Sequence, residues 1–185
     1  MANLTFGPSE GINFDQFVSF AGIPIPTYGN YGGPGYTAGQ APTTPGSPTT
    51  PTLYDTVDPI DPLDALFRTH DMAYDPGLPG YNPAALPQAD VALIQGIQQI
   101  PNRQLDADAA IYGGLATLFL VAQVESVAPD LLSDRQDVRY VFEGLYDIQR
   151  GLSHLPPAEL VPVIQLVGTA LDTFSQLPTP GFDLL

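Results

Sequence analysis

The segment DPLDALFRTHDMAY, which spans Asp61 to Tyr74, decides the fold of this chain. An acidic cap followed by proline predicts that a helix begins at Asp61-Pro62, and Pro76-Gly77 predicts its end. Helical spacing collects one set of side chains on a single face, namely Leu63, Leu66, Phe67, His70 and Tyr74. The sequence therefore predicts a helix with an imidazole on its core side and the carboxylate of Asp71 on its flank.

A glycine-rich loop, Tyr31-Gly32-Gly33-Pro34-Gly35, precedes this helix. Pro and Gly supply 13 of the 28 residues from Pro24 to Pro51, which predicts loop throughout. Glycine tolerates unusual dihedral angles, so the alternating carbonyls of Tyr31, Gly33 and Gly35 could share one side of the loop. Calcium prefers oxygen ligands, and Asp71 could close the site. We therefore expect calcium to be held by Tyr31, Gly33, Gly35 and Asp71.

The neighbouring His70 would lie beside the metal without ligating it. A neutral imidazole can take a proton from water if another group orients its second nitrogen. A helix predicted from about Arg103 to Val127 carries a face of small residues that continues from Asp106, namely Ala109, Ala110, Gly113, Gly114 and Thr117. That face would let another helix approach closely and bring Asp106 to His70, with Asp108 in reserve. It could equally serve only to pack a helix crossing.

Together these groups indicate calcium-assisted ester hydrolysis. Calcium would polarise the ester carbonyl and stabilise the oxyanion, and the backbone N–H of Gly33 could assist.

The remaining pattern predicts an all-α protein with long loops near its start. A short helix is expected around Phe14 to Phe20, capped by Asn13, and another around Val91 to Ile97. Two amphipathic stripes indicate two more helices: Val138, Val141, Phe142, Leu145 and Ile148, then Leu160, Ile164, Val167, Leu171 and Phe174. We find no alternating strand pattern of useful length.

Composition excludes several classes of partner and chemistry. The 185 residues carry 20 acids against 5 bases, a net charge of −15, which excludes a nucleic-acid partner. The absence of cysteine excludes disulfides, thiolate metal sites and cysteine nucleophiles.

Ala107 to Val127 is apolar but contains Asp108 and Glu125, so we expect a buried helix and no transmembrane segment. Met1 to Phe20 lacks the pattern of a Sec-type signal peptide, and we expect a secreted protein exported without one.

The motifs resemble the secretory phospholipase A2 superfamily. Tyr31 to Gly35 is similar to its calcium loop, and Asp64 to Tyr74 to its Asp-x-x-x-x-x-His-Asp-x-x-Tyr helix. Arg68-Thr69-His70-Asp71-Met72 is especially similar to the bee-venom branch. Leu105 to Ile111 is similar to the Cys-Asp-x-Ala-Ala-Ala-Ile segment. The parvovirus capsid phospholipase domain, which also lacks cysteine, has a similar loop and helix.

The resemblance implies calcium-dependent hydrolysis of the sn-2 acyl ester of glycerophospholipids at a membrane or micelle surface. It implies His70 as the base, Asp71 as a calcium ligand and Asp106 as the carboxylate that orients His70. It also implies that the hydroxyl of Tyr74 bonds to Asp106. The implied fold is a phospholipase A2-like core of packed antiparallel helices with a long Gly/Pro-rich calcium loop and extra C-terminal helices.

The chain departs from the family where most members have disulfide cysteines. Those positions hold Gly32, Leu66, Phe67, Ala73, Leu105 and Tyr112, so the fold would rest on apolar packing. The loop-to-helix connection is also long, with a Pro/Thr-rich insert at 41–51. We expect an N-terminal segment at 1–27, a catalytic core at 28–120 and a helical extension at 121–185.

Two other functions remain open from the sequence. A non-catalytic module could keep the fold and bind calcium or lipid as an interaction domain. A purely structural helical domain would show no response to calcium.

Overall fold

The chain is mainly helical, as its sequence predicts. The computed structural model describes residues 11–20, 23–33, 35–40 and 51–176. The chain divides into two compact units after Leu86, and the insert predicted at 41–51 lies outside the described residues except for Pro51. The described elements are β1 (Ile12–Phe20), β2 (Ile23–Tyr28), α1 (Pro62–Tyr74), α2 (Leu86–Gln99), α3 (Ala107–Val127), α4 (Asp134–His154) and α5 (Pro157–Gln176).

The helix predicted around Phe14 to Phe20 is wrong, because this segment forms strand β1. It pairs antiparallel with β2, with Ile12 opposite Tyr28 and Phe20 opposite Ile23, and the register shifts between Asn13 and Phe17. Aromatic and β-branched residues favour a pleated strand, and β2 follows at once to supply the pairing. The expectation that the chain has no strands fails for the same reason.

Helix α1 begins and ends where the sequence predicts. The Asp61 side chain accepts the N–H of Asp64 at 2.8 Å, and Pro62 occupies the first turn. The helix ends at Tyr74, before Pro76-Gly77. Its buried residues are Leu63, Asp64 and Phe67. The predicted core face is therefore confirmed in part, with a carboxylate buried between its apolar members.

Helix α3 begins later than the sequence predicts. Residues 102–104 form a 3-10 turn, and Asp106 caps α3 by accepting the N–H of Ala109 at 2.9 Å. A capping aspartate has extended backbone and stands before the first helical residue. The prediction that the helix starts at about Arg103 is therefore wrong, since Asp106 lies at its N-cap and not within it.

Helices α3 and α4 cross at glycine contacts. A Cβ on Gly114 would lie 2.5 Å from Gly144 O, and a Cβ on Gly151 would lie 2.6 Å from Ala107 O. Only glycine permits backbones to approach this closely, so these residues set the distance between the two helices. The small face predicted on α3 does pack a helix crossing.

The predicted apolar stripe of α4 is wrong in part. Ile148 is buried, but Val138, Phe142 and Leu145 are exposed. The buried face instead comprises Asp137, Tyr140, Gly144, Asp147, Ile148 and Gly151. Close contact with α3 requires the glycines of α4, and this requirement outweighs the burial of its most apolar stripe. On α5, the buried residues include Val163 and Val167, whereas Ile164 is exposed.

Among the described helices, α3 is the one long and apolar enough to cross a membrane. Its mean hydropathy over the best window is 1.5, and 61% of that window is buried within the protein. The core helix of a globular unit has the same two properties.

A pair of carboxyl groups joins α3 to α4. Burial raises the pKa of Glu125, and its neighbour Asp137 raises it further. Burial also raises the pKa of Asp137, although the hydrogen bond from Glu125 opposes this shift. Glu125 Oε1 and Asp137 Oδ1 are buried oxygens that have no donor among the described residues, so a proton on this pair of carboxyl groups stabilises the native state.

Gly114→Ala should lower the free energy of unfolding by about 1–3 kcal/mol, because the added carbon would overlap Gly144 O. Gly168→Ala is the control, since Gly168 lies in α5 and a Cβ there has nothing within 4 Å. Alanine should stabilise that position by up to about 1 kcal/mol through helix propensity. Urea denaturation measures both values. Equal stabilisation by the two substitutions would contradict the close crossing.

Glu125→Gln should make the protein more stable at pH 7 by about 0.5–1 kcal/mol and flatten its pH dependence. Both native pKa values are raised, so the stabilising proton is fully present below the ordinary carboxyl pKa of about 4 and is lost as pH rises through the raised values. Glutamine keeps its N–H donors at every pH.

The measurement is the free energy of unfolding between pH 4 and pH 8. Glu159→Gln, in the first turn of α5, is the control and should keep the wild-type slope. An unchanged slope in Glu125→Gln would contradict the stabilising role of a proton at this pair.

Candidate functional site

The glycine-rich loop has a defined backbone within the first unit. Positive φ angles occur at Gly29 (53°), Gly33 (141°) and Gly35 (67°), a region that favours glycine. Tyr28 and Gly32 exchange two backbone hydrogen bonds, both of 2.8 Å. Glycine at these positions therefore lets the loop turn sharply straight after β2.

The buried carboxylate of Asp64 anchors this loop to α1. It accepts the backbone N–H groups of Asn30 at 3.1 Å, Tyr31 at 2.8 Å and Ile60 at 3.0 Å. Burial raises the pKa of Asp64, and the three backbone donors oppose that shift. A Cβ on Gly29 would lie 2.6 Å from the Asp64 carboxyl carbon, so the loop closes tightly around the carboxylate.

Three buried tyrosines lie in the loop and on either side of it in the sequence. Tyr28, Tyr31 and Tyr36 are fully buried. The Tyr28 hydroxyl donates to Asp61 Oδ2, and the Tyr31 hydroxyl donates to the carbonyl of Val57. These bonds satisfy the polar ends of rings that are otherwise enclosed, so the rings can serve as core.

Asp71 of α1 contacts the segment that follows the glycine-rich loop. Thr37 Oγ1, two residues after the loop, donates to Asp71 Oδ2 at 2.8 Å and so joins this segment to α1. Desolvation raises the pKa of Asp71 well above its usual range, and the carboxylates of Asp64 and Asp75 add to the shift. The Thr37 hydrogen bond opposes it. A shielded carboxylate with acidic neighbours is a group that a cation would stabilise.

The loop offers backbone oxygens to such a cation. Gly33 O accepts the N–H of Tyr36 at 3.0 Å, and no backbone N–H of the described residues bonds to the carbonyls of Tyr31 or Gly35. Within the described ranges, no three His, Cys, Asp or Glu side chains could hold a metal ion together. A cation here would take most of its ligands from carbonyls and one from Asp71. Donors of this kind suit calcium.

His70 precedes Asp71 on α1 and packs against Tyr74. The two ring centroids are 4.6 Å apart and the rings are tilted by 31°. This contact, one helical turn apart, restrains the imidazole through its ring face. The sequence predicted a different role for Tyr74, a hydroxyl bond to Asp106, and that role stays a prediction.

Asp106 belongs to the second unit, where it is exposed and caps α3. One carboxylate oxygen accepts the N–H of Ala109. Asp108, the reserve candidate, lies in the first turn of the same helix and is half-buried. The orientation of His70 by either carboxylate stays a prediction.

Comparisons with protein-family models, curated proteins and solved structures give no match to this chain.

Two residues of the candidate site were missed as functional positions. Asp64 was recognised only as part of a motif, although its carboxylate holds the loop backbone, and Thr37 was not singled out. An aspartate on the apolar face of α1, between Leu63 and Phe67, was the available signal, because a buried carboxylate requires donors. Nothing in the sequence pattern marked Thr37.

Asp64→Asn should release the loop, because an amide offers one acceptor oxygen and turns an N–H₂ group toward backbone donors. We expect a loss of about 2–3 kcal/mol in the free energy of unfolding. The amides of Asn30 and Tyr31 should exchange with solvent at least tenfold faster, as measured by NMR hydrogen exchange.

Asp58→Asn is the control, since Asp58 is exposed in the same unit and its backbone carbonyl, which accepts the Asn30 side chain, is kept by the substitution. Unchanged protection of the Tyr31 amide in Asp64→Asn would contradict the anchoring role.

Proposed function

We propose that this chain is a calcium-dependent phospholipase A2-like enzyme that hydrolyses the sn-2 acyl ester of glycerophospholipids. The observation that carries the proposal is the attachment of the glycine-rich loop to α1 at two points. Asp64 holds the start of the loop, at Asn30 and Tyr31, and Asp71 holds Thr37, two residues after its end. These hydrogen bonds connect the segment that carries the loop carbonyls to the helix that carries Asp71 and His70, which supports the proposal.

A second observation supports the resemblance without disulfides. Gly32 and Phe67, two positions where most members of the superfamily have cysteine, are neighbours here. A Cβ on Gly32 would lie 3.2 Å from Phe67 Cδ2, and the Phe67 ring meets the Tyr28 ring edge to face at 6.3 Å. Apolar packing therefore joins these two segments at positions where most members of the family have disulfide cysteines.

The residues have distinct roles in the proposed reaction. Tyr31, Gly33 and Gly35 would hold calcium through their carbonyls, and Asp71 through its carboxylate. Calcium, when bound, supplies electrophilic polarisation of the ester carbonyl. His70 takes a proton from the attacking water as its oxygen bonds to the acyl carbon. The ester C–O bond then breaks, the proton passes to the lysophospholipid oxygen, and a fatty acid leaves.

His70→Asn should lower the rate of fatty-acid release from phosphatidylcholine by at least about 100-fold, because a general base contributes that much or more to the rate. His154→Asn is the control for the only other histidine; His154 is exposed at the end of α4 and should be dispensable. The measurement is titration of released fatty acid with calcium and with chelator. Activity that persists in His70→Asn would contradict the mechanism.

Calcium-dependent melting separates binding from catalysis. A ligand that binds only the native state raises the melting temperature. Calcium should do so for wild type and for His70→Asn but not for Asp71→Asn. If calcium raises the melting temperature but no lipid is hydrolysed, the non-catalytic module is favoured. If calcium leaves the melting temperature unchanged, a structural domain is favoured.

Asp106→Asn tests the orienting carboxylate in the same assay. Asparagine is as good a cap as aspartate, so α3 should remain stable while the charge is removed. A loss of activity at unchanged stability would support Asp106, and a loss confined to Asp108→Asn would support the reserve candidate.

A further inference from the structure

A tight turn at residues 37–40 follows the glycine-rich loop. The N–H of Thr37 donates to the carbonyl of Gln40, and the N–H of Gln40 donates to the carbonyl of Thr37, both at 3.0 Å. The two central residues, Ala38 and Gly39, have positive φ angles of 52° and 75°. Positive φ at both central positions is the pattern of turns that reverse the chain sharply. Both backbone hydrogen-bonding groups of Thr37 are therefore held within the turn.

This turn is packed against its surroundings. Ala38 is the one non-glycine residue with a positive φ among the residues that the structure describes. Such a backbone is unfavourable for a residue with a Cβ and persists where contacts hold it. Ala38 is buried, and the neighbouring Gly39 donates its N–H to the carbonyl of Asn30 at 2.9 Å. The turn is thereby attached to a residue whose own N–H is bound by Asp64.

The side chain of Thr37 reaches α1 from this fixed backbone. Its hydroxyl donates to Asp71 Oδ2 at 2.8 Å, the length of a good hydrogen bond to a carboxylate. Within the described residues Asp71 accepts no second hydrogen bond, so Oδ1 remains for another partner. An aspartate side chain can adopt several rotamers, and a donor on a fixed backbone selects one orientation of the carboxylate.

We propose that Thr37 is the positioning residue of the cation site, holding Asp71 Oδ2 and leaving Oδ1 as the oxygen that binds calcium. The inference rests on the proposed function, because the ion it serves is the calcium of that reaction. Groups that hydrogen-bond a ligating carboxylate raise its affinity for a metal ion by fixing its orientation. A hydroxyl that instead competed with the ion for the carboxylate would have the opposite effect.

Calorimetric titration of the full chain with calcium chloride measures this effect. Thr37→Val keeps the shape of the side chain but removes the donor, and should raise the Kd for calcium by about tenfold or more. Thr37→Ser keeps the donor and should bind within about threefold of wild type. Thr56→Val is the control, because Thr56 is exposed in the same unit and its hydroxyl donates to the carbonyl of Leu53.

The control should keep the wild-type Kd. An unchanged or lower Kd in Thr37→Val would overturn the proposal, and so would equal losses in Thr37→Val and Thr56→Val. A second pair of variants removes the donor without placing a methyl group against the carboxylate. Thr37→Ala should bind calcium about threefold or more weakly than Thr37→Ser, since water can replace part of the lost hydrogen bond. Equal affinities in this pair would also overturn the proposal.

The rate of phosphatidylcholine hydrolysis separates this inference from the proposed function. Saturating calcium should return Thr37→Val to within about threefold of the wild-type rate, because Thr37 acts on the binding of the ion and touches no reacting atom. If wild type binds calcium but hydrolyses no lipid, the proposed function fails and the Kd comparison still decides the role of Thr37. If wild type hydrolyses lipid and Thr37→Val has the wild-type Kd, the positioning role alone fails. Wild type that binds no calcium overturns both.

Discussion

The buried carboxylate of Asp64 is the constraint on which the first unit depends. A fully buried aspartate is costly unless donors surround it, and here the donors are backbone N–H groups from two separate segments. Side-chain donors could rotate away, whereas backbone donors cannot leave without unfolding the loop. The same carboxylate leaves no room for a side chain at Gly29. One charge thus determines the path of the glycine-rich loop over α1, in a chain that has no disulfide to do so.

A different constraint, close backbone contact, governs the second unit. Gly114 of α3 faces Gly144 of α4, and this crossing determines which side of α4 turns inward. Helical geometry places Val138 and Phe142 on the far side from Gly144, so both remain in solvent. Burying that stripe instead would separate the glycines and lose the contact. The exposure of this apolar stripe is therefore a consequence of the helix crossing.

Sequence signals that act within one helical turn correctly predicted the ends of α1, whereas features that depend on distant segments were missed. Asp61-Pro62 marked the start of α1 because a cap and a proline act within one turn. Strand β1 was missed because its structure depends on pairing with β2. The orientation of α4 was missed because it depends on the glycines of another helix. In the candidate site, the position of Asp71 on α1 follows from the local helix pattern, but its contact with Thr37 and the anchoring role of Asp64 depend on contacts between segments more than 30 residues apart.

The three carboxylates of the α1 region differ in how they are compensated. Asp64 has its three backbone donors, and Asp75 accepts the N–H of Gly77 and the hydroxyl of Tyr54. Asp71 receives one hydrogen bond within the described residues, from Thr37. Desolvation raises the pKa of Asp71 well above its usual range, and its acidic neighbours Asp64 and Asp75 add to the shift. A cation at the loop would therefore gain most from Asp71, and the free energy of its binding would add to the stability of the loop that holds it.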